Sequence, residues 1–481
     1  MKTGYDIIVI GAGSGGLGVG IGMAQFGFKV LMIDKDKDNF GGECLNSGCI
    51  PSKALIHVTD ILKKASDSEA YGYTLSGKPD IRRVLDYVHS RQEIIRKHES
   101  ADYLKKEEGI DVLIGQASFS GRNAVEVNGQ EYQAKKILVA TGSKPRRIQV
   151  EGMERMKIFT NENLFHIDFI PENFLVIGGG PIGLEMSQCF ARLGSKVTVL
   201  EKNDRILKKE LPEVSALLQQ QLEKEDIDFR LGQELVAFRN GRTAVLKNQE
   251  GKEIEIPCDA VLVGIGRDIP YDTLQLEKAG VKMDREKDWP LIDNYLRAKG
   301  NRNIVFAGDA AHNVLFSHGA ELHTTILLNN FFIPWPFKQK FNLDNFSWCT
   351  FTDPQVATFG LSKEEMEKRS LPYEVVDFKL EGDDRAIASD YRYGHVILFL
   401  KKSRWKPRNG KVLGGTIVAP NAGEMVQELI MAKQQGLGAG AIFNKIYPYP
   451  TQTRAHKIAL VEKFSGGISP GIRNILRFLY H

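Results

Sequence analysis

Cys44 and Cys49 are the residues best equipped for chemistry. Four residues separate them in the run GGECLNSGCIPSK, residues 41–53. The stretch ALIHVTDILKK follows and reads as a helix. A helix N-terminus favours a thiolate, and two thiols this close can close on each other as a disulfide. A redox-active dithiol is therefore the leading reading, with two alternatives beside it. Zinc would want a second Cys/His pair at ligand spacing; the sequence offers none, so no metal site is expected. A structural disulfide would suit an exported chain. Here the start, MKTGYDIIVIGAG, reads as a buried strand rather than a signal peptide, and five cysteines in 481 residues do not make a secreted scaffold.

Two repeated elements must position this pair. YDIIVI (5–10) is a continuous apolar run ending in GAGSGG, with Gly11, Gly13 and Gly16 in G-x-G-x-x-G spacing. A small-residue helix follows, then KVLMID, whose last residue is Asp34, at the distance expected of an acid that takes a ribose hydroxyl. The same unit recurs: FLVI, then Gly178, Gly180 and Gly183, a helix, and KVTVLE ending at Glu201. Strand, glycine loop, helix and acid in this order imply a dinucleotide with its pyrophosphate on the helix N-terminus. Two such units imply two dinucleotides. The first adjoins the cysteines, so the second would hold the exchangeable electron donor.

Smaller landmarks complete the pattern. Residues 56–110 read as long helices, and the ATG turn places Thr141 and Gly142 at the end of the first nucleotide fold. GIGRD places Gly266 at the end of the second. NIVFAGDAA ends in Asp309. An aspartate there is often just a helix N-cap, but its place after a glycine-flanked strand points to a ribityl contact. Residues 333–346 read as a loop and a domain boundary; beyond it strands and a helix mix as α+β. The tail FSGGISPGIRNILRFLYH is amphipathic and basic-aromatic. It is expected to pack on this protein or a partner subunit, with a membrane surface as the lesser alternative. Net charge is +4, so charge alone implies no nucleic-acid partner, and no window approaches a membrane span. A cytoplasmic, reducing location is the expectation.

The ordered set GAGSGG, GGECLNSGCIPSK, ATGSKP, GGGPIGLE, GIGRD, FAGDAA and FTDPQVATFG resembles the pyridine-nucleotide disulfide oxidoreductases, the group of dihydrolipoamide dehydrogenase, glutathione reductase and mercuric reductase. The resemblance covers roughly residues 5–465. It implies an α/β protein with two Rossmann-like dinucleotide-binding domains and an α+β C-terminal dimerisation domain. FAD would occupy residues 1–154 and 289–345, and NAD(P)H residues 155–288. Residues 346–465 would make a homodimer, and 466–481 would be the tail. By the same resemblance Cys49 faces the flavin and Cys44 meets substrate. Lys53 and Glu185 pair near the flavin, Asp34 and Asp309 hold its ribose and ribityl parts, and Ala117 and Ser317 approach it through backbone. Glu201 favours NADH, although Lys202 and Arg205 pull the other way.

Departures bear on the substrate. Where relatives carry His-Pro-Thr and a Glu, this chain has Tyr449 and Arg454. His456, two residues on, is expected at the surface. Mercuric reductases carry a tyrosine here, and DRAIA (Asp384–Ala388) also looks like theirs, yet their C-terminal Cys-Cys pair has no counterpart. Cys189, Cys258 and Cys349 read as core. The expected function is NAD(P)H oxidation through flavin and the Cys44–Cys49 pair to a small-molecule or metal-ion acceptor, mercuric reductase-like. The alternatives are a dihydrolipoyl dehydrogenase-like activity, a flavin diaphorase or quinone reductase, and a redox-sensing interaction protein.

Overall fold

The structure is a computed structural model of the single chain and describes residues 4–402, 410–466 and 470–480. It divides into two compact units. One comprises residues up to 178 with 189–202 and 233–342; the other comprises 179–188, 203–232 and 343 onward.

The first unit is built on a sheet whose central strand is Gly4–Ile10. Val30–Asp34 and Gln130–Val139 flank it in parallel, with Ile7 opposite Val30 and Ile10 opposite both Ile33 and Val139. Both faces of this strand are covered, and Ile7, Ile8 and Val9 are fully buried. That is why the strand reads as an unbroken apolar run rather than an alternation. Asp111–Ile114 extends the sheet beyond Val30–Asp34, and Ile304–Phe306 runs parallel to Gln130–Val139. The return of Ile304–Phe306 delivers Asp309 to the strand ends where the first glycine loop lies, with Gly15 packed closely on Ala307.

A second parallel set in this unit orders Lys196–Glu201, Asn173–Ile177, Ala260–Val263 and Ile158–Phe159. The two sets repeat each other closely. Gly11 donates its N–H to Ile33 O and Gly178 donates to Leu200 O, both at 2.8 Å, each acceptor being the residue before the acid. Both glycines have φ beyond +100°, and a Cβ on either would strike the carbonyl of a neighbouring strand end, Ala140 or Gly264.

The second unit carries a five-stranded antiparallel sheet in the order Ser347–Thr350, Gln355–Gly360, Val412–Ala419, His395–Lys401, Tyr373–Lys379. The expected helix at NAGEMVQELIMAKQQ forms as two pieces, Ala422–Met425 and Gln427–Gln434. The helix expected at ALIHVTDILKK forms and begins earlier, at Cys49.

One close approach in the first unit positions the redox loop. Gly41 and Gly42 have φ of +84° and +61°, and Gly41 N donates to Ala12 O at 3.0 Å. A Cβ on Gly42 would lie 2.6 Å from Gly13 Cα. The cysteine loop thus lies backbone-to-backbone on the glycine loop. Gly42→Ala should cost about 1–3 kcal/mol from backbone strain plus collision. Gly27→Ala, also at positive φ but in open space, should cost only the strain. Thermal melts of the two variants compare these; equal losses would remove the collision from the account.

Candidate active site

Cys49 is the first residue of the 19-residue helix Cys49–Asp67, preceded by Gly48. Its Sγ lies 3.1 Å from Ser317 Oγ, itself the first residue of helix Ser317–Phe332. Two helix N-termini therefore meet at this sulfur, a position that favours a thiolate. Cys44 sits inside the short helix Gly42–Asn46. The hydrogen bond with Cys49 and burial push its thiol well above the ordinary range. Ser317 was expected to act through its backbone; here its hydroxyl also meets the sulfur. Two residues that drew no attention in the sequence brace the loop. Asn46 Nδ2 donates to Gly42 O at 2.8 Å, and Gln92 Nε2 donates to Leu45 O and Asn46 O at 2.8 and 2.9 Å.

The residues around the first glycine loop fit a dinucleotide. A Cβ on Gly16 would strike Gly11 O, so the turn admits only glycine there. Asp34, buried at its strand end, accepts Ala12 N–H at 2.8 Å and Asp36 N–H at 3.2 Å. Ala117 is buried, and Gly142 has φ +69°. Thr141 Oγ1 is buried and has no hydrogen-bond partner among the described residues, a donor awaiting an acceptor such as a phosphate or ribityl oxygen. Asp309 accepts from Ser143 Oγ. At the second loop, Gly178 is held as described above, Gly266 has φ +111°, and Glu201 ends its strand half-buried. A Cβ on Gly180 would meet nothing within 4 Å, and Gly183 lies in the first turn of helix Pro181–Arg192. Lys53 lies in the first unit. Glu185 is buried in the second, where it accepts Phe351 N–H at 2.9 Å.

In the second unit Tyr449 is 67% exposed. Its hydroxyl donates to Asp384 at 3.2 Å, and the Arg454 guanidinium stacks over its ring at 5.1 Å and stands 3.6 Å from Asp384. The DRAIA motif and the Tyr449 segment are therefore one cluster. His456 corrects an expectation. It is fully buried, not at the surface, and its Nδ1 pairs with Glu428 at 2.5 Å. Helix Arg454–Gly466 turns it inward beside Ala455 and Ala459, onto a carboxylate 28 residues earlier. A His–carboxylate pair thus exists in this domain, although not at Tyr449 and Arg454. Cys189 and Cys258 are buried, whereas Cys349 is only partly so.

Glu43, next to Cys44, was also unforeseen. Arg267 holds it through both terminal nitrogens, and Asn161 Nδ2 donates to it at 2.9 Å. Arg267 also donates to Ser143 Oγ at 2.6 Å and lies 3.6 Å from Asp309. Burial pushes Glu43 up to about 7 against the pull of Arg267, with Asp309 and Cys49 adding to the rise. A carboxyl raised above its ordinary 4.5 stabilises the fold fully below that value, and this contribution is lost as pH rises through about 7. Glu43→Gln should therefore flatten the fall in Tm between about pH 5 and about pH 7.5. Parallel melting profiles for the two proteins would show that Glu43 holds no such proton.

The comparisons with known proteins agree with this geometry. Residues 5–325 match the model of the pyridine nucleotide-disulphide oxidoreductases, and residues 346–460 match that family's dimerisation domain. The chain is 33% identical to the dihydrolipoyl dehydrogenase of Thermus scotoductus, over 94% of this chain and 95% of that one. It is 30% identical to the mercuric reductase of Lysinibacillus sphaericus, over 95% of this chain and 82% of that one. The HOCl-induced flavoprotein disulfide reductase RclA from Escherichia coli, solved as a Cu(II) complex, shares the fold with a TM-score of 0.81 at 21% identity, covering 96% of this chain and all of that one. This chain belongs to the pyridine nucleotide-disulphide oxidoreductases, a family of flavoenzymes that use FAD and NAD(P)H.

Proposed function

We propose that this enzyme takes electrons from NADH and passes them through flavin to the Cys44–Cys49 pair and on to a thiol-reactive acceptor, in the manner of a mercuric reductase. FAD would lie on residues 1–154 and 289–345, the nicotinamide on 155–288, and residues 346–465 would form the homodimer. Bound flavin supplies the two-electron exchange between hydride and disulfide. The protein's own part is to hold the sulfurs. Reduction of the Cys44–Cys49 bond takes two electrons and one proton and yields the Cys44 thiol and the Cys49 thiolate. Cys49, between two helix N-termini, is placed to stay anionic beside the flavin. Cys44 is placed to keep its proton until an acceptor displaces it.

The observation that carries the substrate class is the Tyr449–Asp384–Arg454 cluster. A tyrosine hydroxyl donates a hydrogen bond readily but is a poor base, and Arg454 cannot accept at all. Dithiol–disulfide exchange wants an acid and a base near neutrality. A soft metal ion does not, because binding a thiolate itself expels the proton. The neighbours at about 30% identity include both enzyme types, so overall similarity does not choose between them.

Three readouts test this reading. Two-electron reduction should produce a long-wavelength thiolate–flavin absorbance that Cys49→Ser abolishes; persistence of the band would reassign the flavin-facing thiol. In steady-state assays mercuric ion should outpace lipoamide and glutathione disulfide, and Tyr449→His should raise lipoamide turnover. Fast lipoamide turnover by the wild type, unchanged in Tyr449→His, overturns the substrate class.

The donor rests on Glu201, which accepts from a 2′-hydroxyl and repels a 2′-phosphate. Its carboxylate should make kcat/KM higher for NADH than for NADPH. A tenfold preference for NADPH, about 1.4 kcal/mol, would reverse the assignment.

A further inference from the structure

Two segments of this chain place aromatic and aliphatic side chains in water beside cations, with no acid among them. Residues 322–343 contain no Asp or Glu, and neither do residues 463–481. Among the described residues no helix is long and apolar enough to cross a membrane.

In the tail, helix Pro470–Leu479 leaves Ile475, Leu476, Phe478, Leu479 and the following Tyr480 exposed, Phe478 to 84%. At 100° per residue Ile475, Leu476 and Leu479 share one arc, and Arg473, Asn474 and Arg477 occupy the opposite one. Phe478 and Tyr480 fall at the two boundaries between the arcs. Aliphatic centre, aromatic margins and arginine back form the profile of a helix lying in the plane of a lipid headgroup layer.

In the first unit, the end of helix Ser317–Phe332 and the loop after it expose Phe332, Trp335 and Phe337, the last to 76%. Phe26, also exposed, packs edge-on to Phe332 at 5.4 Å, and Trp335 packs on Tyr295 at 5.7 Å. The aromatics are therefore braced in place. Lys136 Nζ lies 5.6 Å over the Phe331 ring, and Lys338 and Lys340 follow Phe337 in the chain. Burial first, and then the charges of Lys338 and Arg297, lower the Lys136 pKa. An apolar patch of this kind marks an interaction surface.

We propose that helix Pro470–Leu479 and the loop 332–340 are seats for an anionic lipid surface. Charge decides the occupant. A second copy of this chain could cover the apolar side chains, but the lysines and arginines beside them would then need acidic partners, and neither segment brings one of its own. Anionic headgroups satisfy the cations while the acyl boundary takes the Phe, Trp and Leu side chains.

The test is co-sedimentation of the purified full chain with phosphatidylcholine vesicles containing about 30% phosphatidylglycerol, against vesicles of pure phosphatidylcholine. The anionic vesicles should bind the protein about tenfold more strongly or better, and about 0.5 M salt should weaken the binding. Leu476→Ser/Phe478→Ser and Trp335→Ser/Phe337→Ser should each lower binding about tenfold. Tm and solution mass by light scattering should stay at the wild-type values. Failure to sediment, or equal binding to both vesicle types, overturns the proposal. A segment whose variant binds like the wild type is overturned as a seat. A tail variant that changes the solution mass assigns that face to another copy of the chain instead.

Discussion

A dithiol can serve a bound dinucleotide only if two stretches of main chain come together with no side chain between them. In this protein that approach is Gly41–Gly42 against Ala12–Gly13. Left-handed backbone at both positions makes it possible, and an L side chain at Gly42 would meet Gly13 before the chains could close. Everything chemical in the first unit follows from it. It sets the short helix that carries Cys44, and Gly48 then turns the chain so that the next helix begins on Cys49. Asn46 and Gln92 satisfy the carbonyls left open by that turn, so the loop costs few unpaired backbone groups.

The electrostatics around the loop are correspondingly uneven. Cys49 opens a long helix with the Ser317 hydroxyl at its sulfur, whereas Cys44, which also feels that hydroxyl, is held up by its hydrogen bond with Cys49 and by burial. On the far side of Cys44 in the chain, Glu43, Arg267, Ser143 and Asp309 form one chain of polar contacts. Its two carboxylates share one guanidinium, so the second negative charge is held at a cost. A polar chain this tight is sensitive to proton count, and it joins the cysteine loop to the strand end that carries Asp309.

Much of this was legible because the backbone itself imposes the signal. A parallel strand buried on both faces must read as an apolar run, and the glycine loops must be glycine where a Cβ would strike a carbonyl. Both Rossmann-like strand, glycine-loop and strand repeats were therefore visible. What escaped is long-range pairing between ordinary side chains. Ser317 meets Cys49 across 268 positions, and Glu43 meets Arg267 across 224. Neither has a period or a local partner to announce it. His456 failed for a related reason. Between Ala455 and Lys457 it looks like a solvated helix position, and only Glu428, in a helix ordered elsewhere in the domain, makes its burial tolerable.

That buried pair sharpens the question of where protons go. Glu428 takes His456, the Tyr447 hydroxyl at 2.8 Å and the Lys445 ammonium together. Burial would raise Glu428, yet these partners bring it down to about 2. Its contribution to stability is thus present above pH 4.5 and lost as pH falls toward 2, which is the signature of a structural tie. The tie joins helix Gln427–Gln434 to the segment before Tyr449 and to helix Arg454–Gly466. A general base must come within hydrogen-bond reach of the proton it removes. His456 has none of its surface exposed within its own chain, so no substrate, whether held by this subunit or another, can touch it without opening that core. The domain therefore has its histidine where it fastens the fold, and has the Tyr449, Asp384 and Arg454 cluster at its surface. Of those three, the arginine has no acceptor to offer and the aspartate is already engaged with both neighbours. What remains at the exposed position is a hydroxyl that can donate and orient. Under the function proposed above, that equipment suits an acceptor which draws the proton off Cys44 by binding sulfur more than one which must have it removed.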